Sequence, residues 1–322
     1  MDPSTSPQDG LGRGTAARGG AATSSTSSQR CELAERLRRH VTALEGVRHP
    51  RATPERHRAA RDYIARELGA SGLEAQLVPF TFGGRTYHNV VAALPGREAR
   101  RPPLLVGAHF DSTAHTPGAD DNASGVAALL ECARLVSAHS REAGGVEFVG
   151  LDLEELQTVT GRYRVGSQAL ARAKRARGER LTGALILEMV GYRDPMPGAQ
   201  TVPPFIGIDV PRTGDFLAAV GDTRSRALLE GFVAGAREAA PDLPVVAYRT
   251  RLRGWLLPLT RLSDNASFWD AGYASLMLTD TAFLRNPHYH RDSDTSATLD
   301  YDFMALVTTA TAGAVARLAD AG

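Results

Sequence analysis

Residues 104–130 read LLVGAHFDSTAHTPGADDNASGVAALL. A short apolar run, 104–106, passes through a glycine into a His-x-Asp pair, His109 and Asp111. A polar loop then closes on Gly118-Ala-Asp-Asp-Asn-Ala-Ser-Gly125, and helical apolar spacing begins at once. This is the pattern of a buried strand, a loop and a helix N-terminus. In open α/β sheets, ligands bind at such strand ends. The loop carries one imidazole from the strand end and three carboxylates, Asp111, Asp120 and Asp121, so it reads as half of a metal site.

Three further apolar runs end in comparable chemistry. The run 146–153 leads into Glu154-Glu155, and 185–187 leads into Glu188. The run 274–278 continues towards His288-Tyr289-His290. Between the strands lie helical patterns at 124–138, 166–177, 224–239 and 301–319. Upstream, Leu33, Leu37, Val41 and Leu44 mark one helix. A second is predicted over 54–69, with Thr53 as N-cap, Pro54 at its first position, and Ala59, Tyr63, Ile64 and Leu68 on its buried face. Strands are predicted at 75–82 and 87–94, split by Gly83-Gly84. The Gly-, Pro- and Asp-rich stretch 193–223 reads as one long loop that shapes a pocket.

Strands alternating with helices predict an α/β fold. It is a three-layer sandwich with a mostly parallel, mixed central sheet flanked by helices. In a parallel sheet the four strand ends share one edge, so their groups converge. Imidazole and carboxylate donors suit zinc, and a catalytic zinc keeps a position open for water. Calcium would prefer more oxygens and no imidazole.

The chain of 322 residues is 43% hydrophobic, enough for a substantial core. Lys+Arg is 37 against Asp+Glu 36, a net charge of +1, which gives no reason to expect nucleic acid or a membrane as partner. No apolar run approaches the ~18 residues of a spanning helix, and the polar N-terminus lacks the apolar segment of a signal peptide. The expected compartment is therefore cytoplasmic. Residues 1–29 are rich in Ser, Thr, Gly and Ala and are expected to be a disordered tail, followed by a single catalytic domain over 30–322. The two cysteines, Cys31 and Cys132, make no disulfide framework and no cysteine zinc site. His40, His49, His57 and His139 fall on polar helix faces or ends and read as solvated. Trp255 and Trp269 read as packing or pocket wall.

Six segments carry a resemblance to a known family: GAHFDS, GADDNASG, FVGLDLEE, LILEMVGY, SDNASFWDAGYASLMLTDT and NPHYHRDSDT. In this order and chemistry the chain resembles the co-catalytic di-zinc aminopeptidases of peptidase family 28, over about residues 75–320. The resemblance implies two zinc ions per chain. It implies one zinc on His109, Asp121 and Glu188, and the other on Asp121, Glu155 and His290, with Asp121 bridging. It makes Glu154 the general base, Asp111 the partner that orients His109, and Tyr289 a donor to the oxyanion. The implied substrate is a peptide with a free N-terminus.

Alternatives remain at adjacent positions. Asp120 competes with Asp121, Glu154 with Glu155 and His288 with His290; the family pattern selects the second of each pair as ligand. Asp120 and Asp121 would also serve as a helix N-cap pair, and Asp264 and Asp294 as supporting or capping groups. Many family members carry Asp where Glu188 stands, and His where Asn265 stands. The link 156–165 is longer and more basic than usual. The same fold and ligands also support a glutaminyl cyclase-like acyl transfer with one working zinc. A metal-stabilised binding domain without turnover is the non-enzymatic alternative.

Overall fold

The structure is a computed structural model, and it describes residues 19–138, 143–156, 161–204 and 206–320, with side chains from residue 27 onwards. Eight strands form one sheet: β1 (Ala75–Phe82), β2 (Arg85–Leu94), β3 (Leu104–His109), β4 (Val146–Leu151), β5 (Gly183–Glu188), β6 (Leu217–Gly221), β7 (Val245–Arg249) and β8 (Ser275–Thr279). Their spatial order is β1-β2-β4-β3-β5-β8-β6-β7. The four central strands, β4, β3, β5 and β8, are mutually parallel. β2 joins β4 antiparallel, and β6 joins β8 antiparallel. The sheet is therefore mixed with a parallel centre.

Among the described residues seven α-helices accompany it: α1 (Gly19–Leu44), α2 (Pro54–Ala70), α3 (Gly125–Ser137), α4 (Val165–Ala176), α5 (Arg226–Ala239), α6 (Asn265–Ala271) and α7 (Tyr301–Asp320). The alternation of strand side chains shows how they layer. Leu104, Val106, Phe148, Leu185 and Leu187 face a core shared with α1, α2, α3, α5 and α7. Leu105, Val149, Leu151, Ala184 and Ile186 face the opposite way, onto Leu170 of α4 and Phe268 of α6. A strand covered on both sides reads as an unbroken apolar run, which is why the central strands were visible in the sequence.

Several expectations need correction. α1 begins at Gly19, within the stretch expected to be disordered; residues 1–18 and His139 lie outside the described residues, as does part of the link 156–165. The Ser/Thr/Ala composition permits helix there, and no proline interrupts 19–44. Thr53 stands at the N-cap position of α2, its carbonyl accepting from the His57 N–H at 3.0 Å, but its side chain makes no capping bond; its hydroxyl donates to the Val47 carbonyl at 2.7 Å. The buried face of α2 is His57, Ala60, Ile64 and Leu68, with Ala59 exposed. The 193–223 loop contains β6, and β7 and α6 were also unforeseen. β6 is the short run Leu-Ala-Ala-Val-Gly, whose small residues carry little strand signal.

His40 and His57 are buried, not solvated. His57 Nε2 lies 2.6 Å from Asp152 Oδ1, and His40 bridges Tyr63 and Glu131. Both cysteines are free thiols, Cys132 buried and Cys31 exposed. Trp269 is buried and donates to the Ser275 carbonyl at 2.9 Å, whereas Trp255 is 66% exposed and packs into no core.

Candidate active site

The C-terminal ends of β3, β4, β5 and β8 open on one edge, and the sequence-predicted groups meet there. His109 is the last residue of β3, and Glu188 is the last of β5. Glu154 and Glu155 follow β4 by three and four residues. Asp121 lies in a wide, kinked turn, Ala119–Ser124, ahead of α3. His290 comes from the segment beyond β8.

His109 Nε2 stands 3.2 Å from Asp121 Oδ1 and 3.4 Å from Glu188 Oε2. His290 Nε2 stands 3.1 Å from Asp121 Oδ2 and 3.5 Å from Glu155 Oε2. The residues thus fall into two donor triplets, His109–Asp121–Glu188 and Asp121–Glu155–His290, each with its donor atoms within 4.8 Å of one another. Asp121 belongs to both, one oxygen facing each histidine.

The set fits a pair of divalent cations. Both ring nitrogens of His109 are buried without a hydrogen bond of good geometry, which leaves its Nε2 unsatisfied among the described residues. Three carboxylates face two imidazoles, the oxygen- and nitrogen-rich mixture that zinc accepts. The charges are also under strain. Burial pushes Glu155 up to about 7, with Asp121 adding to it, and pushes Glu154 well above the usual carboxylate range. Burial alone would lift Asp121 too, but His109 and His290 hold it well below its ordinary value. Burial would lower the two imidazoles, yet the surrounding carboxylates outweigh it, and His290 rises to about 10. A cation would relieve the same repulsion.

Surrounding groups lock these donors in place. Asp111 lies 3.5 Å from His109 Nδ1, while its two oxygens accept the backbone N–H groups of Glu154 and Glu155 at 3.0 and 3.1 Å. Asp294 accepts the N–H groups of Asp120 and Asp121 at 2.8 and 3.1 Å. Asp120 caps no helix; it accepts from the Gly191 N–H at 2.9 Å and from Asn286 Nδ2 at 2.6 Å. Burial, with Asp280 beside it, raises its pKa. Asp264 stands at the N-cap position of α6, but its side chain makes no capping bond; it is buried, with the charges of His109 and Glu188 acting on it. Asn265 is buried and donates to the Thr260 carbonyl at 3.1 Å. His288 turns away, its Nδ1 2.9 Å from Ser293 Oγ. Tyr289 stacks on His290 with centroids 3.9 Å apart.

Three residues to which the sequence reading assigned no role complete the frame. Asn122 donates to the Leu187 carbonyl and accepts from the N–H groups of Gly125 and Met189, joining the turn to both α3 and the end of β5. Ser263 donates to Glu188 Oε2 at 2.7 Å. Arg48, 2% exposed, donates to the carbonyls of Leu44, Gly46, Phe110, Pro117 and Gly118. Gly118 itself has φ of +64°, and a Cβ there would meet the Asp121 carbonyl at 2.4 Å, so the turn needs glycine. Leu153, Met189 and His290 also take positive φ, of 56°, 48° and 55°. Such backbone strain gathers where side chains must be aimed.

A groove leads away from the cluster, about 980 Å³ including its open mouth. Its floor is the face of β6, β7 and β8, with Phe216, Val220, Tyr248 and Met277. Leu257, Leu259 and Leu262 form one wall. The charged groups lining it are all at the cluster end: Asp121, Glu154, Glu155, Glu188 and His290.

Residues 89–315 match the model of peptidase family M28. The chain is 35% identical over 294 residues to the uncharacterized protein YfbL of Escherichia coli, covering 87% of each. It is 31% identical over 249 residues to a probable leucine aminopeptidase 1 of Trichophyton verrucosum, covering 73% of this chain and 59% of that protein. Among solved structures, the LapA aminopeptidase of Legionella pneumophila shares the fold with a TM-score of 0.67 at 17% identity, over 97% of this chain and 78% of that one. A glutaminyl cyclase of Bacteroides thetaiotaomicron shares it with a TM-score of 0.65 at 19% identity, over 89% and 97%. No described helix is long and apolar enough to cross a membrane. With its family model matched from the middle of β2 into α7, the chain belongs to peptidase family M28.

Proposed function

We propose that the protein is a zinc-dependent aminopeptidase that removes apolar N-terminal residues from peptides. The observation that carries this reading is the pair of donor triplets sharing Asp121, with Glu154 beside them in neither triplet. His109, Asp121 and Glu188 would hold one zinc, and Asp121, Glu155 and His290 the other. Zinc bound there would supply Lewis acidity for the scissile carbonyl and lower the pKa of a water from ~16 towards ~7. Glu154, its pKa raised by burial, is suited to take a proton from the attacking water and return it to the leaving amine. Asp111 holds the Glu154 backbone and faces His109, so it keeps base and imidazole in register. Tyr289 lies in the groove wall next to His290 and would donate its hydroxyl to the developing oxyanion.

The groove supports the side-chain preference. An apolar floor and wall favour Leu, Met or Phe at the substrate N-terminus and disfavour Lys or Asp, which would lose hydration without gaining a partner. The relatives named leucine aminopeptidase agree with that preference.

The test measures zinc per chain together with release from a panel of aminoacyl p-nitroanilides, before and after chelation. Two zincs and chelator-sensitive release, with leucyl above lysyl substrate and none from N-acetylated substrate, support the reading. One zinc with pyroglutamyl product from a glutaminyl peptide would assign the cyclase chemistry instead. Bound zinc without turnover on either would leave a binding domain.

A further inference from the structure

The loop between β7 and α6 reads Arg249-Thr-Arg-Leu-Arg-Gly-Trp-Leu-Leu-Pro-Leu-Thr-Arg261. It has two sides. Leu257, Leu259 and Thr260 line the groove. Leu252, Trp255 and Leu256 are not part of that lining and are 66%, 66% and 69% exposed. Single exposed apolar side chains are ordinary, but three large ones within five residues mark a binding surface.

The loop is held in shape. Arg261 makes two 2.9 Å bonds to Asp270, donates to the Arg253 carbonyl at 2.6 Å, and stacks 4.1 Å from the Trp255 ring centroid. The Trp255 N–H reaches the Leu252 carbonyl at 3.2 Å, and the Leu257 N–H reaches that of Gly254 at 3.0 Å. The apolar side chains are therefore presented on a fixed frame.

Arginines lie on the same loop and in a concavity that it borders through Arg253. Arg172, Arg175, Arg224 and Arg253 line one open concavity, whose single acid, Asp270, is already engaged by Arg261. Arg249 and Arg251 are exposed on the loop itself. Among the described residues none of these six side chains makes an ion pair. A chain of net charge +1 thus gathers six guanidiniums without an ion pair among the described residues on this loop and in the concavity that Arg253 shares with α4, a local excess that the overall charge balance conceals.

We propose that this face docks on an anionic lipid surface. Leu252, Trp255 and Leu256 would enter the headgroup region, and the arginines would bind headgroup phosphates. Trp and Leu flanked by basic residues is the composition of segments that lie in a membrane interface, where the amphipathic indole and the guanidiniums both find partners. The same loop forms a wall of the groove, so docking would bring the groove's rim to the membrane surface. The inference does not depend on the metal reading.

The test is co-sedimentation of the full chain with phosphatidylcholine vesicles and with mixed phosphatidylcholine–phosphatidylglycerol vesicles. Binding to the mixed vesicles alone is expected, weakened by salt as the Debye length shrinks, with a blue shift in Trp emission. Leu252→Ser/Leu256→Ser should bind about tenfold or more weakly, as should Arg175→Glu/Arg224→Glu, with melting temperature and turnover of a soluble substrate unchanged. Absence of wild-type binding to either vesicle would overturn the proposal. So would binding that both variants retain. A wild-type dimer in sedimentation velocity, abolished by Leu252→Ser/Leu256→Ser without any vesicle binding, would reassign the face to self-association.

Discussion

Asp111 accepts the backbone N–H of Glu154 at 3.0 Å, so a residue two places beyond the end of β3 fixes the residue proposed as base beyond β4. Its second oxygen takes the N–H of Glu155 at 3.1 Å. In Asp111→Asn the amide nitrogen must face one of these donors, or turn away and leave it unpaired. Zinc affinity and kcat/KM are both expected to fall by about 10–100-fold, the usual cost of losing such a support. Metal titration alongside steady-state kinetics checks this; values within twofold of wild type would remove Asp111 from the positioning role.

Glu154→Gln keeps the side-chain volume and removes the base. The variant should hold wild-type zinc while kcat falls by about 10²–10⁴. Metal analysis of the purified variant and turnover of leucyl p-nitroanilide decide it. Near-normal turnover would strike Glu154 from the mechanism.

Arg48→Ala strips the donors from five backbone carbonyls that frame the His109–Asp121 loop. Buried acceptors left unpaired are costly, and a loss on the order of 3–5 kcal/mol in unfolding free energy is expected. Arg48→Lys should recover only part of it, because an ammonium cannot reach carbonyls spread over that fork. Urea unfolding of the three proteins measures the order.

Glu131 ties α3 to α1 through Arg36 and His40, and to Arg134 on its own helix. Burial would raise its pKa, but the hydrogen bonds from His40, Arg36 and Arg134 outweigh this and bring it down from 4.5 to about 2. A carboxylate depressed on folding stabilises the native state above its unfolded pKa and ceases to as pH drops through its folded pKa. Glu131→Gln should therefore be less stable by roughly 1–3 kcal/mol at neutral pH, discounted for the partly exposed arginines. The gap should narrow between about pH 4.5 and pH 2. Thermal melts across that range test the sign; a gap that widens towards acid would contradict it.

The sheet centre and the reactive strand ends were legible because both rest on local pattern. Buried parallel strands must be apolar along their whole length, so 104–108, 146–153 and 185–187 stand out from any amphipathic segment. A polar group directly after such a run has no solvated reason to be there, and His109, the Glu154-Glu155 pair and Glu188 were found that way, the family resemblance alone selecting Glu155 as the ligand of its pair. The edge region was not legible. β6 has small residues and β7 lies half-exposed at the sheet edge, so neither carries a strong period.

What the sequence by itself determined is the alternation of elements, the edge at which chemistry would gather, and the residue types available for it. Only the tertiary structure decided which of those groups meet. It brought Asp121 between two histidines that lie 181 residues apart in the chain, His109 and His290. It also made supports of Arg48, Asn122, Ser263 and Asp294, and left Leu252, Trp255 and Leu256 in solvent. Local propensity depends on neighbours in sequence, whereas a buried donor finds its acceptor through space. A lone arginine at position 48 looks like any surface charge until five carbonyls close around it.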